Sequence, residues 1–409
     1  MTGTRQPYIP HQKDRDRQDS RYRRNWHSRF RVWTNEVDQV VLALVLVLMA
    51  IGVAAVAVSS PASARRLSTG EVKLPDLYFY WLHIRFLCLG VIVMLAVSFL
   101  SRDNARRMGI LLAAGMIFAL FLVPVLGTEV NGSRRWINLG IGFQPSEFLK
   151  PAFAIVMAWI LSWRMRDPKL PVMWVVTGLM LLIAVLLMLQ PNLGDAILFG
   201  CVWLVLVLLA GIPFKRIGIL LGVVMAGLLS AYFFYDNARH RIDSFLGGGT
   251  AYDQVDLAQR TLLGGGWTGA GIQLGVRKFS LPEAHTDYIF SVIGEEFGLL
   301  VCALLVIVYV ALVARVLIRL ANEEDMFTLL AGAGLVTQIG AQAFINILVN
   351  LQMFPSKGMT LPLVSYGGSS TIAVCLAIGL LLAITRRNPY LQRKAPGLKE
   401  LLPVRGART

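Results

Sequence analysis

Long apolar runs separated by short polar segments dominate the 409-residue chain. They lie at 40–60, 80–100, 108–126, 147–163, 172–189, 195–213, 216–235, 288–318, 327–349 and 370–385. Most approach the roughly 20 apolar residues that cross a bilayer as a helix. The pattern therefore predicts an all-α polytopic integral membrane protein with about ten transmembrane helices. Two stretches depart from it. Residues 1–35 are rich in Arg, Asp, Gln and Ser and poor in apolar side chains, which predicts a disordered basic arm. Residues 235–287 form a long connection between the seventh and eighth runs, and 391–409 form a basic tail, so the membrane domain is expected to span 36–390.

Charge orients this pattern. The chain is 56% hydrophobic and 15% charged, less charged than a soluble protein of its size. The net charge of +15 concentrates in the arm and the tail. With the N-terminus in the cytoplasm, alternate loops are basic: R-D-N-A-R-R at 102–107, R-M-R-D-P-K at 164–169, P-F-K-R at 213–216, and Arg315 with Arg319. This is the positive-inside pattern; it places both termini in the cytoplasm and the 235–287 loop outside. The basic ends suit an anionic lipid surface and lack the aromatic–basic modules of nucleic-acid binders, so no nucleic-acid partner is expected. Cys88, Cys201, Cys302 and Cys375 fall inside apolar runs without metal spacing. Ala62-Ser63-Ala64 is similar to a signal-peptidase site. The run before it exceeds the roughly 7–15 residues of a signal core, which predicts a retained anchor.

Ionisable groups at the lip of a membrane helix are costly and are functional candidates. Asp287 is such a group, in R-K-F-S-L-P-E-A-H-T-D-Y-I-F-S-V-I-G-E-E-F-G at 277–298, beside His285 and Thr286 and ahead of Glu295 and Glu296. Glu147 and Lys150 stand three apart on one helical face, either as a neutralised pair or as ligand-holding groups. Q-P-N-L-G-D at 190–195 predicts a tight turn with Asp195 capping the next helix. Gln338, Gln342, Asn346 and Asn350 recur every fourth residue, a stripe that reads as an interhelical hydrogen-bond seam or, alternatively, as a cavity wall. It leads into L-Q-M-F-P-S-K-G-M-T-L-P-L-V-S-Y-G-G-S-S at 351–370, which holds Lys357, Ser365 and Ser369. Arg134, Arg135 and Arg277 lie on the expected outer face, against the topological bias, which points to an anionic ligand or, for Arg277 in the long loop, to a loop that escapes a rule counted chiefly over short ones. Glycines at 247–249 and 264–275 would let backbone N–H groups approach phosphate, although no Walker Lys-Ser/Thr follows. No metal-ligand motif is present, and a serine nucleophile would have only His285 as its base.

Three motifs, S-R-R-W-I…Q-P-S-E-F-L-K, L-P-E-A-H-T-D-Y-I-F-S-V-I-G-E-E-F-G and P-S-K-G-M-T-L-P-L-V-S-Y-G-G-S-S, give the chain a resemblance to the SEDS family of bacterial cell-wall proteins from about residue 40 to 390. The P-S-K-G-M-T-L-P form and the basic arm resemble the division-associated member more than the elongation-associated one. One departure is Asn192, where the family often has Asp, with Asp195 where Thr is common. The resemblance implies a peptidoglycan glycosyltransferase of the bacterial cytoplasmic (inner) membrane. Such an enzyme polymerises lipid II into β-1,4 strands at the septum and releases undecaprenyl diphosphate. It implies a class B penicillin-binding protein as cross-linking partner, along with other divisome proteins, and makes Asp287 the essential carboxylate and general base. Arg134, Arg135, Glu147, Lys150, Arg277, His285, Lys357, Ser365 and Ser369 are the accompanying substrate-binding candidates. No cofactor is required; a divalent cation is compatible with the chemistry. A lipid II flippase on the same fold is the alternative, and the lack of a clear internal repeat argues against it.

Overall fold

The computed structural model describes residues 26–68, 72–130, 133–138, 142–165, 167, 169–211, 254–355 and 358–387, with scattered positions between 212 and 253. Lys357, the glycines at 247–249 and most of the expected helix at 216–235 lie outside the described residues. The described helices are α1 (Trp26–Glu36), α2 (Gln39–Leu67), α3 (Tyr78–Ser98), α4 (Arg102–Leu126), α5 (Pro145–Ser162), α6 (Val172–Met188), α7 (Leu193–Leu209), α8 (Gln254–Gly264), α9 (Ile289–Phe297), α10 (Leu299–Leu320), α11 (Met326–Asn350) and α12 (Ser369–Ile384). Five of them, α2, α3, α4, α10 and α11, are long and apolar enough to cross a membrane, and α6, α7 and α12 are shorter apolar helices. Several begin on side-chain caps that follow from sequence: Ser101 accepts from the Asn104 N–H and Asp325 from the Thr328 N–H.

The interior of the bundle is α5, α11 and α12. Every residue of α12 except Ile372 is buried, as is most of α5 and α11. Small residues let these helices approach closely. A Cβ on Gly90 would stand 2.7 Å from Cys375 Sγ, and one on Gly379 2.7 Å from the Met94 carbonyl, which seats α3 on α12. Gly109 gives α4 the same close access to Ile155 of α5. Without a hydrophobic drive between helices in lipid, such contacts carry the association. Ala62-Ser63-Ala64 is buried inside α2.

The structure corrects three expectations and adds one element. Part of the arm read as disordered is helix α1, where Trp33 and Val37, one turn apart, are buried and Phe30 stacks on Trp33 at 5.6 Å. The averaged polarity of 1–35 concealed this short apolar spacing. Just beyond helices α2 to α12, the Arg387 N–H donates to the Glu36 carbonyl at 3.2 Å. The added element, ahead of α5, is a small antiparallel sheet, β1 (Thr128–Val130), β2 (Ser133–Asn138) and β3 (Gly142–Phe143), in the order β1-β2-β3. Asn192, not Asp195, caps α7, its side chain accepting from the Asp195 N–H. The apolar run 288–318 is two helices, broken at Gly298.

That break is enforced by packing. Gly298 has φ 87°, a left-handed conformation, and a Cβ there would stand 2.3 Å from the Trp267 carbonyl. Gly266 also has positive φ, 60°, but faces open space. Gly266→Ala should therefore cost about 1 kcal/mol, the left-handed backbone penalty alone. Gly298→Ala should cost roughly 3 kcal/mol, because a backbone clash adds to the strain. Thermal unfolding of the two variants in detergent gives the comparison; equal shifts would refute the packing account.

Candidate functional site

Asp287 stands in the turn just before α9, half-buried, with three successive backbone carbonyls held from outside its own segment. The His285 carbonyl accepts from the Tyr366 N–H at 3.0 Å. The Thr286 carbonyl accepts from Ser365 Oγ at 2.5 Å. The Asp287 carbonyl accepts from Asn346 Nδ2 at 2.8 Å and Asn350 Nδ2 at 3.2 Å. Gln342, Asn346 and Asn350 of the polar stripe of α11 thus form a hydrogen-bond seam, and Asn346 and Asn350 hold the Asp287 backbone, while Gln338 Oε1 and Gln342 Oε1 are buried without a hydrogen-bond partner. The same stripe fixes the segment after α11: Asn346 Nδ2 donates to the Met359 carbonyl at 2.7 Å and Gln342 Nε2 to the Thr360 carbonyl at 3.0 Å. Asn350 Oδ1 accepts from both the N–H and the Oγ of Ser291, which locks the first turn of α9. A Cβ on Gly358 would lie 3.4 Å from Asp287 Oδ2, so bare backbone flanks the carboxylate.

His285 supports this turn rather than offering charge. It is buried, its ring 4.2 Å from Phe79 and stacked on Tyr366 at 5.4 Å and 24°. Tyr366 is edge-on to Phe79 at 5.7 Å. Burial pushes the imidazole pKa down to about 4, so the ring is neutral at pH 7 and brings no cation to a diphosphate. Ser365 is likewise occupied: its Oγ donates to Thr286 and accepts from the Leu361 N–H at 2.8 Å. Ser369 is buried at the first position of α12.

The glycine-rich loop was expected to present N–H groups to phosphate, and the structure assigns them elsewhere. The N–H groups of Ala270 and Gly271 bond the carbonyls of Glu295 and Glu296 at 2.8 and 3.1 Å. The Glu295 carboxylate accepts from the N–H groups of Arg277 and Lys278 at 2.6 and 2.9 Å, and Glu296 from the Gln273 N–H. Lys278, fully buried, pairs with Glu296 and donates to the Val58 carbonyl of α2 at 3.0 Å. Glycines are needed here for contact with the α9–α10 break: a Cβ on Gly265 would be 2.2 Å from the Gly294 carbonyl, and one on Gly269 2.3 Å from that of Glu296. Sequence reasoning missed Lys278 as the partner of Glu296. The signal was a lysine eighteen residues ahead of two buried acids, which no local spacing rule reads.

Glu147 and Lys150 do pair, at 2.7 Å, with a third member, Asp195, whose Oδ1 is 2.9 Å from Lys150 Nζ. Ser146 Oγ and Asn192 Nδ2 donate to the other Asp195 oxygen at 2.8 and 2.7 Å. Lys150 is buried between two carboxylates, and its charge is committed to them. Arg135 closes the same turn, donating from Nε to the Gln190 carbonyl at 3.2 Å and from Nη2 to that of Pro191. Arg134 is exposed and 3.3 Å from Glu129. The exposed Arg277 donates from Nη1 to the Arg260 carbonyl at 2.7 Å. Among the described residues no three His, Cys, Asp or Glu side chains gather as a metal site.

Two outcomes follow from these charges. Lys150→Met leaves two carboxylates buried against one another and should cost about 3–5 kcal/mol of stability; adding Asp195→Asn should recover part of the loss in thermal unfolding. His285 has a folded pKa below its unfolded one, so its contribution is full above about pH 6.5 and is lost as pH falls toward 4. The loss amounts to roughly 3 kcal/mol. His285→Phe should flatten that acid dependence of the melting temperature, and an unchanged slope would exclude His285 as its source.

Known proteins are similar to this chain over most of its length. A Caulobacter vibrioides protein named "Probable peptidoglycan glycosyltransferase FtsW" is 34% identical over 361 residues, 88% of this chain and 91% of its own. A Methylococcus capsulatus protein of the same name is 35% identical, over 85% of this chain and 89% of its own. Among solved structures, a chain from a study described as "Structural coordination of polymerization and crosslinking by a peptidoglycan synthase complex" aligns with TM-score 0.69 and 29% identity, over 86% of this chain and 98% of that one. The Thermus thermophilus rod shape determining protein RodA aligns with TM-score 0.64 and 27% identity over the same shares. The family described as cell cycle protein, of the FtsW, RodA and SpoVE type, matches residues 38–390. With the membrane domain matched from end to end, this chain belongs to that family of multi-pass membrane proteins.

Proposed function

We propose that the protein is a peptidoglycan glycosyltransferase that joins lipid II units into β-1,4 glycan strands, with Asp287 as the general base. The observation that carries the reading is the clamp on carbonyls 285, 286 and 287, which fixes the backbone of a half-buried carboxylate and leaves its side chain beside Gly358. A base must be held to within fractions of an ångström of its proton, and such fixing is worth orders of magnitude in rate. The chemistry needs one base. Asp287 takes the proton from the acceptor 4-hydroxyl as its oxygen attacks the anomeric carbon of the donor. The diphosphate departs with its charge neutralised rather than by protonation, so the second carboxyl of hydrolases has no counterpart here. Attack opposite the leaving group inverts an α-linked donor to a β-linked product.

The accessible cations Arg134 and Arg277, with Lys357, are the groups assigned to the diphosphate, and guanidinium forks suit it. Lys150 and Arg135 hold the scaffold instead. In this reading the Asp287 end of the bundle faces outward from the bacterial inner membrane at the division septum, and a class B penicillin-binding protein cross-links the product alongside other divisome proteins. The resemblance to a chain of a peptidoglycan synthase complex supports that pairing.

A second reading, translocation of the same lipid, draws on the buried charged trio of Glu147, Lys150 and Asp195. Detergent separates the two, since no leaflets exist to cross. Purified protein with its transpeptidase partner should polymerise lipid II there, and absence of polymer under all conditions would favour translocation. Asp287→Ala should lower the rate by at least about 10²-fold. Asn346→Ala, which touches no substrate in this scheme, should lower kcat by roughly 10-fold or more with little change in KM. Polymer from Asp287→Ala at the wild-type rate would remove that residue from the mechanism.

A further inference from the structure

The segment that leads to Asp287 is held on one side by α2 and by the start of α3. Lys278 reaches the Val58 carbonyl of α2, and the ring of Phe79, in the first turn of α3, lies 4.2 Å from that of His285. Between these two contact points, at 279 and 280, stand Arg65 and Arg66 from the last turn of α2. The Arg65 guanidinium lies over the Phe279 ring, 5.0 Å from its centroid, and Arg66 Nη1 donates to the Ser280 carbonyl at 3.4 Å. A guanidinium lying over a ring uses its face and keeps its N–H edge for another partner. Both side chains are exposed. Arg65 has one carboxylate near it, Asp76 at 3.9 Å, with 65% and 61% of the two side chains exposed, and a contact of that kind contributes little. Among the described residues Arg66 has no carboxylate partner. Their place in the chain points to an anion. Only residues 68–77 separate α2 from α3. In the orientation of the proposed function this connection is outside, and arginines beside a short outer connection run against the positive-inside bias. The 235–287 loop escapes that bias by its length, and this connection does not. Because α2 is long and apolar enough to cross a membrane, its last turn stands at the headgroup layer, the height at which a lipid-borne diphosphate rides.

We infer that Arg65 and Arg66 form a diphosphate-binding site on the α2 side of the Asp287 segment, which takes the phosphate groups of the lipid-linked substrate. Two guanidinium forks match two phosphoryl groups. The inference rests on the substrate of the proposed function and deepens that reading. Strand synthesis joins two lipid-linked molecules, so two diphosphates are held at once, one departing and one retained. Arg65 and Arg66 add to Arg134, Arg277 and Lys357 a pair on a separate helix, fixed to the same segment that carries the base.

The test reads binding without turnover. Full-length protein in detergent is titrated calorimetrically with undecaprenyl diphosphate, with phosphatidylglycerol as a competing phospholipid. Arg65→Gln combined with Arg66→Gln should weaken binding about 10-fold or more at an unchanged melting temperature. Asp76→Asn, which frees Arg65 of its one carboxylate, should tighten binding. Affinity equal to wild type in the arginine variant, or equal displacement of the probe by phosphatidylglycerol at matched concentration, would overturn the inference. Should the arginine variant not fold, Asp76→Asn decides, and wild-type affinity there would overturn it. In polymerisation with the transpeptidase partner, the arginine variant should raise KM for lipid II by a similar factor and spare kcat. A fall in kcat at unchanged KM would make the pair a support of the Asp287 turn and would overturn the inference. A wild type that binds the diphosphate in an arginine-dependent way yet makes no polymer would remove the proposed reaction and leave this site standing.

Discussion

The amide column on α11 is the constraint on which the site depends. In a bilayer a buried polar group without a partner inside the protein is costly. Asn346 and Asn350 find theirs in the backbone carbonyls of Asp287 and Met359 and in each other, so their own satisfaction and the fixing of two connecting segments are one event. Each hydrogen bond contributes about 1 kcal/mol net, but a partner left without one in this interior costs about 1–3 kcal/mol. The asymmetry makes the arrangement nearly all-or-none. A slight shift of the 287 turn would strand several groups at once.

Around that column the charged residues divide into scaffold and surface. The trio at Lys150 joins α5 to the first turn of α7, with Arg135 closing the turn before that helix from β2. Lys278 and Glu296 join the glycine-rich loop to α9, and Lys278 reaches α2. Both pairs are buried and both involve segments far apart in sequence. Their cost of desolvation is met at Asp195 and Glu296 by several hydrogen bonds to each carboxylate, the condition under which buried pairs persist, whereas Glu147 Oε2 is buried without a partner. The turn at Asp287 is thereby held by hydrogen bonds to its carbonyls, while buried ion pairs secure the elements around it.

Much of this was legible in the sequence where periodicity carries the signal. The spanning helices, the four-residue repeat from Gln338 to Asn350 and the Glu147–Lys150 pair follow from helical spacing alone. Asp287 stood out because a carboxylate beside an apolar run is costly. What failed to read through was long-range. Nothing local says that Glu295 and Glu296 face the loop at 270–278, so glycines needed for close packing read as a phosphate cradle. His285 read as a ligand because its burial against Phe79 and Tyr366 is set by two distant segments. Gly298 looked harmless inside an apolar run, since only the Trp267 carbonyl above it makes the break compulsory.

The break has a consequence for how the molecule rides in its membrane. Helix α10 alone has 22 residues, a length of about 33 Å against a hydrocarbon thickness near 30 Å. Being already a full span, it leaves α9 free to extend away from the lipid rather than complete a crossing. A thinner or thicker bilayer must then be accommodated by tilting α10, and the tilt is passed through Gly298 to everything hung from it. Under the proposed function, lipid composition thus becomes a mechanical input that raises or lowers the Asp287 carboxylate against a lipid-linked substrate.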